Sequence, residues 1–272
     1  MKITEVIYFG YELDMLECHI ATHRPCVDRI VIAESPITVS GLPKPMFFQE
    51  NKERFRKYDV EHEIIPAELF PRASDFRGFR IQDHVKNDYM HPRVQKGTDW
   101  IMHTDTDEIL NPVHFPEVKE TLRNNDWHYA QHSLAQYCTY MNMRMGGVDI
   151  YRWVRSDVPY KAYVKNTPRG KVGTGKIGWH FHNVFSSPAE LYWKAKNREW
   201  WVPSLTMQQA ELVMGKLGSI HTLTDKDVPY MDKIQGFFLH DNVAPEDVVP
   251  LTELPQFMQD NQHLFPVYNL KS

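Results

Sequence analysis

Apolar residues in the first 125 positions fall into short unbroken runs, separated by segments whose apolar residues recur at helical spacing. Ile3 to Phe9 is a mainly apolar run closed by Gly10, which predicts a strand. Leu13, Leu16 and Ile20 lie three and four apart, one face of a helix from Glu12 to His23 that ends before Pro25. Val27 to Ala33 predicts a second strand, ending in Glu34-Ser35, and a loop follows from Pro36 to Pro45 with Gly41, Pro43 and Lys44. Gln49 to Tyr58 reads as a polar helix, Val60 to Ile65 as a short strand, and Phe76 to Met90 as a helix with Arg77, Arg80 and Lys86 at helical spacing. Trp100 to Met102 is again strand-like, and a helix is expected from about Phe115 to Asn124. Strand–helix alternation of this kind predicts an α/β fold with a doubly wound, mostly parallel central sheet.

The pattern changes after Trp127. Trp127 to Ser133, Gln136 to Asn142 and Ile150 to Val154 read as short strands. Helices are expected at Pro188 to Asn197, Thr206 to Leu217 and Asp225 to Ile234, and within a proline-punctuated tail at Leu251 to Asn261. The C-terminal half is therefore mixed α+β. With no internal repeat, low-complexity segment or linker, the expected organisation is a single domain over residues 1–272, with halves at 1–125 and 126–272.

Composition narrows the classes. A chain of 272 residues, 42% hydrophobic, has enough apolar material for a sizeable core. A net charge of −4 excludes a broadly basic nucleic-acid binder. Cys18, Cys26 and Cys138 are odd in number and form no CxxC pair, which argues against a disulfide framework. No signal-peptide h-region opens the chain, and no apolar run approaches the roughly 18 residues of a membrane helix. A soluble, cytoplasmic protein is expected.

Local charge points to chemistry in two places. The run Trp100 to Met102 gives way to Asp105, Asp107 and Glu108, and Asn111-Pro112 then stops the element. Carboxylates packed this closely repel unless a cation sits among them. Asp105 and Asp107, two apart on an extended tip, can turn toward one hard ion such as Mg2+ or Mn2+, which completes its shell with substrate phosphates. The plain alternative is a solvated acidic turn. The second place is Arg144 to Lys176, where eight Lys or Arg stand against two Asp, with Tyr151, Trp153, Tyr160 and Tyr163 among them. This reads as a basic loop or a lid over an anionic ligand, and alternatively as a surface that tracks a nucleic-acid backbone. Beyond it, Gly178-Trp179-His180-Phe181-His182 would put both histidines on one side of a strand, within reach of a metal.

Taken together, these pieces resemble glycosyltransferase family 17. Glu12-Leu13-Asp14-Met15-Leu16-Glu17, Val27 to Ser35 and Gly41-Leu42-Pro43-Lys44-Pro45 are similar to the family's early segments. Asp105-Thr106-Asp107-Glu108-Ile109 resembles its Asp-x-Asp-Glu-Ile signature, and Gly178-Trp179-His180 with Ser187 to Tyr192 resembles its Gly-Trp-His block. The chain departs from the pattern at Phe181 and Val184, where the family often has cysteines, and at His182, where it has a small polar residue.

The resemblance implies a GT-A fold, a nucleoside-diphosphate-sugar donor (UDP foremost), a divalent metal (Mn2+ or Mg2+) and inversion at the anomeric carbon. On that reading Asp107 ligates the metal directly, Asp105 binds it through water or holds the ribose, and His180 supplies a ligand from the second half. Glu34 and Lys44 are candidates for the nucleoside and phosphate end, and Arg80 for the diphosphate. The general base that inversion requires would be Glu108, Glu190 or Asp149. The acceptor is expected to be a glycan hydroxyl. The alternatives are a hydroxymethylated base in DNA, or a non-catalytic sugar- or metal-binding module of the same fold.

Overall fold

The computed structural model describes residues 1–70, 84–138, 140–159, 168–197, 205–217, 223–224, 226–228 and 248–266. Strand β1 (Ile3–Phe9) is followed by helix α1 (Leu13–His23) and strands β2 (Arg29–Glu34), β3 (Glu61–Ile64), β4 (Trp100–Asp105) and β5 (Glu108–Leu110). Strands β6 (Tyr129–Cys138), β7 (Arg144–Arg155) and β8 (Arg169–His182) complete an eight-stranded sheet of order β3-β2-β1-β4-β7-β6-β8-β5. Strands β1 to β4 run parallel, β1 lying between β2 and β4. β4 pairs antiparallel with β7, and β5 with β8.

β1, β2 and β4 are buried along almost their whole length, as strands covered on both faces must be, while β3 at the sheet edge is not. Alternation sorts their side chains. Ile3, Ile7 and Phe9 of β1 pack on one face with Leu16 and Ile20 of α1. Val6 packs on the other face with Val31, Ile101 and Val154. β1 also buries two polar residues, Thr4 and Glu5, the second on the α1 face.

The chain divides into two compact units. One is Met1–Ala135 with Gly147–His180, and it holds the parallel strands. The other is Gln136–Gly146 with Phe181–Ser272. Its described core gathers Leu191 and Ala195 of the helix Pro188–Asn197 and Ala210 and Val213 of the helix Met207–Gly215.

The expected doubly wound, mostly parallel sheet is present, and three local expectations change. Gln49 to Tyr58 is not one helix but two single turns, Phe47–Glu50 and Lys52–Phe55, with a 3-10 turn at Arg56–Tyr58. Asn51 breaks it, because its side-chain amide donates to the carbonyl of Phe47 and competes with the helical ladder. The segment from 144 to 176 is mostly β7 and β8 rather than a loop, while 160–167, with Tyr160 and Tyr163, lies outside the described residues. Of the expected helix at Phe76 to Met90, residues 76–83 lie outside the description, and Val85–Met90 winds as a single wider π turn. The expected helix at Asp225 to Ile234 also falls largely outside it.

Candidate functional site

The parallel register brings acids to one edge of the sheet. Tyr8 stands opposite Asp105, and Phe9 opposite Glu34, so β2 and β4 each present a carboxylate at their C-terminal ends. That edge is where open α/β sheets bind ligands. At β4 the chain makes a tight turn through Thr106 and Asp107 and returns as β5.

The acids there do not behave alike. Asp105 Oδ1 lies 3.7 Å from Lys86 Nζ, and Arg152 Nη2 donates to Oδ2 at 3.0 Å. Burial opposes its charge, but Lys86 and Arg152 hold the Asp105 carboxyl below its usual range, with Asp107 pulling the other way. Glu108 is buried and clamped by the same guanidinium: Arg152 Nε donates to Oε2 at 2.6 Å and Nη2 to Oε1. Its Oε2 also accepts the backbone N–H of Asp105 at 3.0 Å, which closes the turn. Asp107 faces elsewhere, with Oδ2 3.7 Å from His180 Nε2, and both side chains are about 15% exposed.

The Asp107–His180 approach depends on β8. Antiparallel pairing sets Glu108 opposite His180 and Leu110 opposite Gly178. A Cβ at Gly178 would run into the backbone of Ile109 and Leu110, so the glycine of Gly178-Trp179-His180 lets β5 and β8 close on each other. Alternation along β8 puts His182 on the same strand face as His180.

Behind Asp105 is a layer of aromatic and basic groups. Lys86 Nζ lies 4.7 Å from the centre of the Tyr8 ring, and Tyr8 Oη is 2.8 Å from His103 Nδ1. Burial, then the Lys86 charge, keeps His103 neutral. Asp105 and Glu108 thus share two cations, Lys86 and Arg152, while Asp107 stands apart beside His180. Asp107, His180 and His182 bring a carboxylate oxygen and two imidazole nitrogens close enough together to hold a metal ion.

The remaining candidates are spread through the molecule. Glu34 is fully buried, accepts the N–H groups of Phe48 and Gln49 at 2.9 and 3.2 Å, and has Lys44 Nζ 3.7 Å away. It secures the turn Phe47–Glu50, and Lys44 is paired with it beneath the surface. Burial depresses the Lys44 pKa against the pull of Glu34. Asp149, whose side chain is 54% exposed, accepts from Ser133 Oγ and from Lys171 Nζ at 3.1 Å. Glu190 belongs to the second unit, where it is buried and accepts the Ser186 N–H and hydroxyl at 2.7 and 2.8 Å. Arg80 lies outside the described residues.

Arg152 and the pair Tyr8–His103 are the groups that sequence reasoning passes over. Arg152 had a signal: it interrupts the apolar strand Ile150 to Val154 between two aromatics, where a charge needs a partner. Tyr8 and His103 had none, since their meeting depends on the β1–β4 register.

No curated protein matches the chain. Among solved structures it is similar to 4-diphosphocytidyl-2C-methyl-D-erythritol synthase, with a TM-score of 0.36 and 12% identity over 57% of this chain and 76% of that one. It is also similar to S. aureus TarS 1-349, with a TM-score of 0.35 and 9% identity over 79% of this chain and 69% of that one. A family model described as glycosyltransferase family 17 matches residues 1–195, the acidic turn and β8 included, and the chain belongs to that family of glycosyltransferases.

Proposed function

We propose that this glycosyltransferase is metal-dependent and inverting, and moves a sugar from a nucleoside diphosphate, UDP first, to a glycan hydroxyl. One observation carries the reading: at the C-terminal edge of β4, Lys86 and Arg152 engage Asp105, while Asp107 faces His180 across 3.7 Å. The division of labour matches what a diphosphate site requires. Asp107 and His180 would hold a Mn2+ or Mg2+ ion, and Asp105, oriented by Arg152, would take a water of its shell or a ribose hydroxyl. When bound, such an ion stabilises the departing diphosphate as a Lewis acid.

Inversion needs one base to take the proton of the acceptor hydroxyl as it attacks. Glu108 spends its oxygens on Arg152 and the Asp105 N–H, and Glu190 spends its own on Ser186. Both are placed as braces. Asp149 is the one of the three whose carboxylate is substantially open to solvent. Glu108→Gln, Glu190→Gln and Asp149→Asn, each assayed for transfer at saturating donor, identify the base as the variant that loses turnover while keeping donor affinity.

Thermal unfolding with UDP, GDP, CDP and TDP, with and without Mn2+, tests the reading. A ligand that binds only the native state raises the midpoint. The expected outcome is a Mn2+-dependent rise with one nucleotide, absent in an Asp107→Ala variant that is otherwise folded. No rise with any nucleotide, or undiminished transfer by Asp107→Ala, would overturn it, and the acidic turn would revert to a solvated feature.

The DNA alternative rests on the basic stretch, and three of its eight basic residues are paired with acids. Arg152 serves the acidic turn, Arg155 pairs with Asp126 and Asp157, and Lys171 with Asp149. A glycan acceptor is favoured for that reason.

A further inference from the structure

Glu5, His19 and His23 are wholly buried side chains with no part in the chemistry above, and they converge on one point. His19 Nε2 is 2.8 Å from Glu5 Oε1, and His23 Nδ1 is 2.9 and 3.0 Å from the two Glu5 oxygens. Each member of the cluster also reaches the acidic turn. Thr104 Oγ1 donates to Glu5 at 3.0 Å, His19 Nδ1 is 3.0 Å from the carbonyl of Thr106, and the Leu110 N–H donates to His23 Nε2 at 2.8 Å.

One proton is settled by its partner: a carbonyl only accepts, so His19 Nδ1 carries hydrogen. His23 Nε2 meets both the Leu110 N–H at 2.8 Å and the Leu110 carbonyl at 3.1 Å, so it is tied to that backbone in either tautomer. Ligand atoms of the three side chains are also close enough together to surround a metal ion. His19 Nε2, pressed against the carboxylate, completes a buried ion pair when it too is protonated. The electrostatics agree: burial opposes it, but Glu5 raises the His19 pKa, while at His23 burial outweighs the pull of Glu5 and, with the His19 charge, lowers the pKa.

We propose that Glu5, His19 and His23 are a buried positioning triad that holds the Asp105–Glu108 turn and its flanks at three points, the Thr104 hydroxyl, the Thr106 carbonyl and the Leu110 backbone, in the conformation that receives the donor. The proposal deepens the functional reading and rests on it for its link to donor binding. Thr106 is the middle residue of Asp105-Thr106-Asp107, so a carbonyl held at that point fixes the directions in which the flanking carboxylates leave the backbone. Helix α1 thereby serves as a strut. Its His19 and His23, one turn apart, face Glu5 of β1 and meet the backbone at Thr106 and Leu110.

The experiment uses two substitutions of one side chain. In His19→Asn the amide nitrogen falls near Nδ1, which keeps the donor to Thr106 and loses Glu5. In His19→Gln the amide falls near Nε2, which keeps Glu5 and loses Thr106. Both remove one ring and one buried contact, so a merely structural role would move them alike. If the triad positions the turn, His19→Gln weakens Mn2+–nucleotide binding by about tenfold relative to His19→Asn, the size of effect typical of a group that orients a ligand. Hydrogen exchange at the amides of Asp107 to Leu110 would also be faster in the Gln variant. Equal affinities and equal exchange would overturn the proposal. Should either variant fail to fold, Thr104→Val, which removes one donor to Glu5 at little change of shape, carries the same two readouts. A protein that binds no nucleotide at all refutes the donor-site reading, and exchange alone then decides whether the triad holds the turn. Stoichiometric metal in the purified protein, lost in Glu5→Gln, would replace the brace with a metal site.

Discussion

Arg152 shows how much one residue decides at this site. Its planar fork spans Glu108 and Asp105, a geometry an ammonium cannot reproduce. Removing it strands a buried carboxylate, and losing one partner of a buried pair costs about 3–5 kcal/mol. Arg152→Met is expected to lose stability on that scale in urea unfolding. Arg152→Lys should lose less stability but weaken Mn2+–nucleotide binding, because Asp105 is no longer oriented. A Met variant as stable as the parent would show that Glu108 has found another partner. Glu5 and His19 predict a dependence on pH. Burial works against the charge of Glu5, but His23 and His19 outweigh it and lower its pKa from 4.5, so its stabilisation is complete above 4.5 and is lost as pH falls toward the lower folded value. His19 is shifted the opposite way, up from 6.5, so its stabilisation is complete below 6.5 and is lost as pH rises through the raised value. The melting-temperature advantage of the parent over Glu5→Gln should therefore be largest between about pH 4.5 and 6.5 and shrink on either side of that window. Parallel profiles would mean that the pair is not ionised.

Among the elements, β5 and β8 make the site from two short facing stretches. A Cβ at Gly178 would meet the backbone of β5, so Gly178→Ala must push the strands apart or distort β5. Overpacking of this kind typically costs about 1–3 kcal/mol. The expected result is a lower unfolding midpoint together with weaker Mn2+–nucleotide binding, since Asp107 directly precedes β5 and His180 sits on β8, the two strands being separated. Unchanged binding in a folded Gly178→Ala protein would show that the two ligand groups move together. The same strands explain why the basic segment reads differently in sequence and in space. Its lysines and arginines look unpaired along the chain, yet Lys171, Arg152 and Arg155 find their carboxylates across strands and turns. Side-chain alternation was legible there, and pairing was not.

For the whole molecule, a net charge of −4 and the pairing of basic residues lead to an expectation about acceptors. A protein that grips DNA through many phosphates loses affinity steeply with salt. This chain is expected to show no such salt-dependent binding to duplex or single-stranded DNA in a fluorescence anisotropy titration. Tight binding that collapses between low and high salt would reverse the preference for a glycan acceptor. Among the described residues no helix is long and apolar enough to cross a membrane.

Local sequence by itself determined the alternating elements of the N-terminal half, the parallel sheet they imply, and an acidic tip at the end of a buried strand. Each of these follows from apolar spacing, proline and glycine, and charge density over a few neighbouring residues. Only the tertiary structure decided how the acids divide their work. Asp105 and Glu108 are neutralised by Arg152, which stands 44 residues beyond Glu108, and Asp107 faces His180, which no local spacing places beside it. It also decided that Glu34 and Lys44 pair with each other and that Glu5 joins His19 and His23 under the turn. A carboxylate is written the same way in sequence whether it braces, caps or binds. Its role is set by which donors desolvation forces upon it, and those arrive from across the sheet.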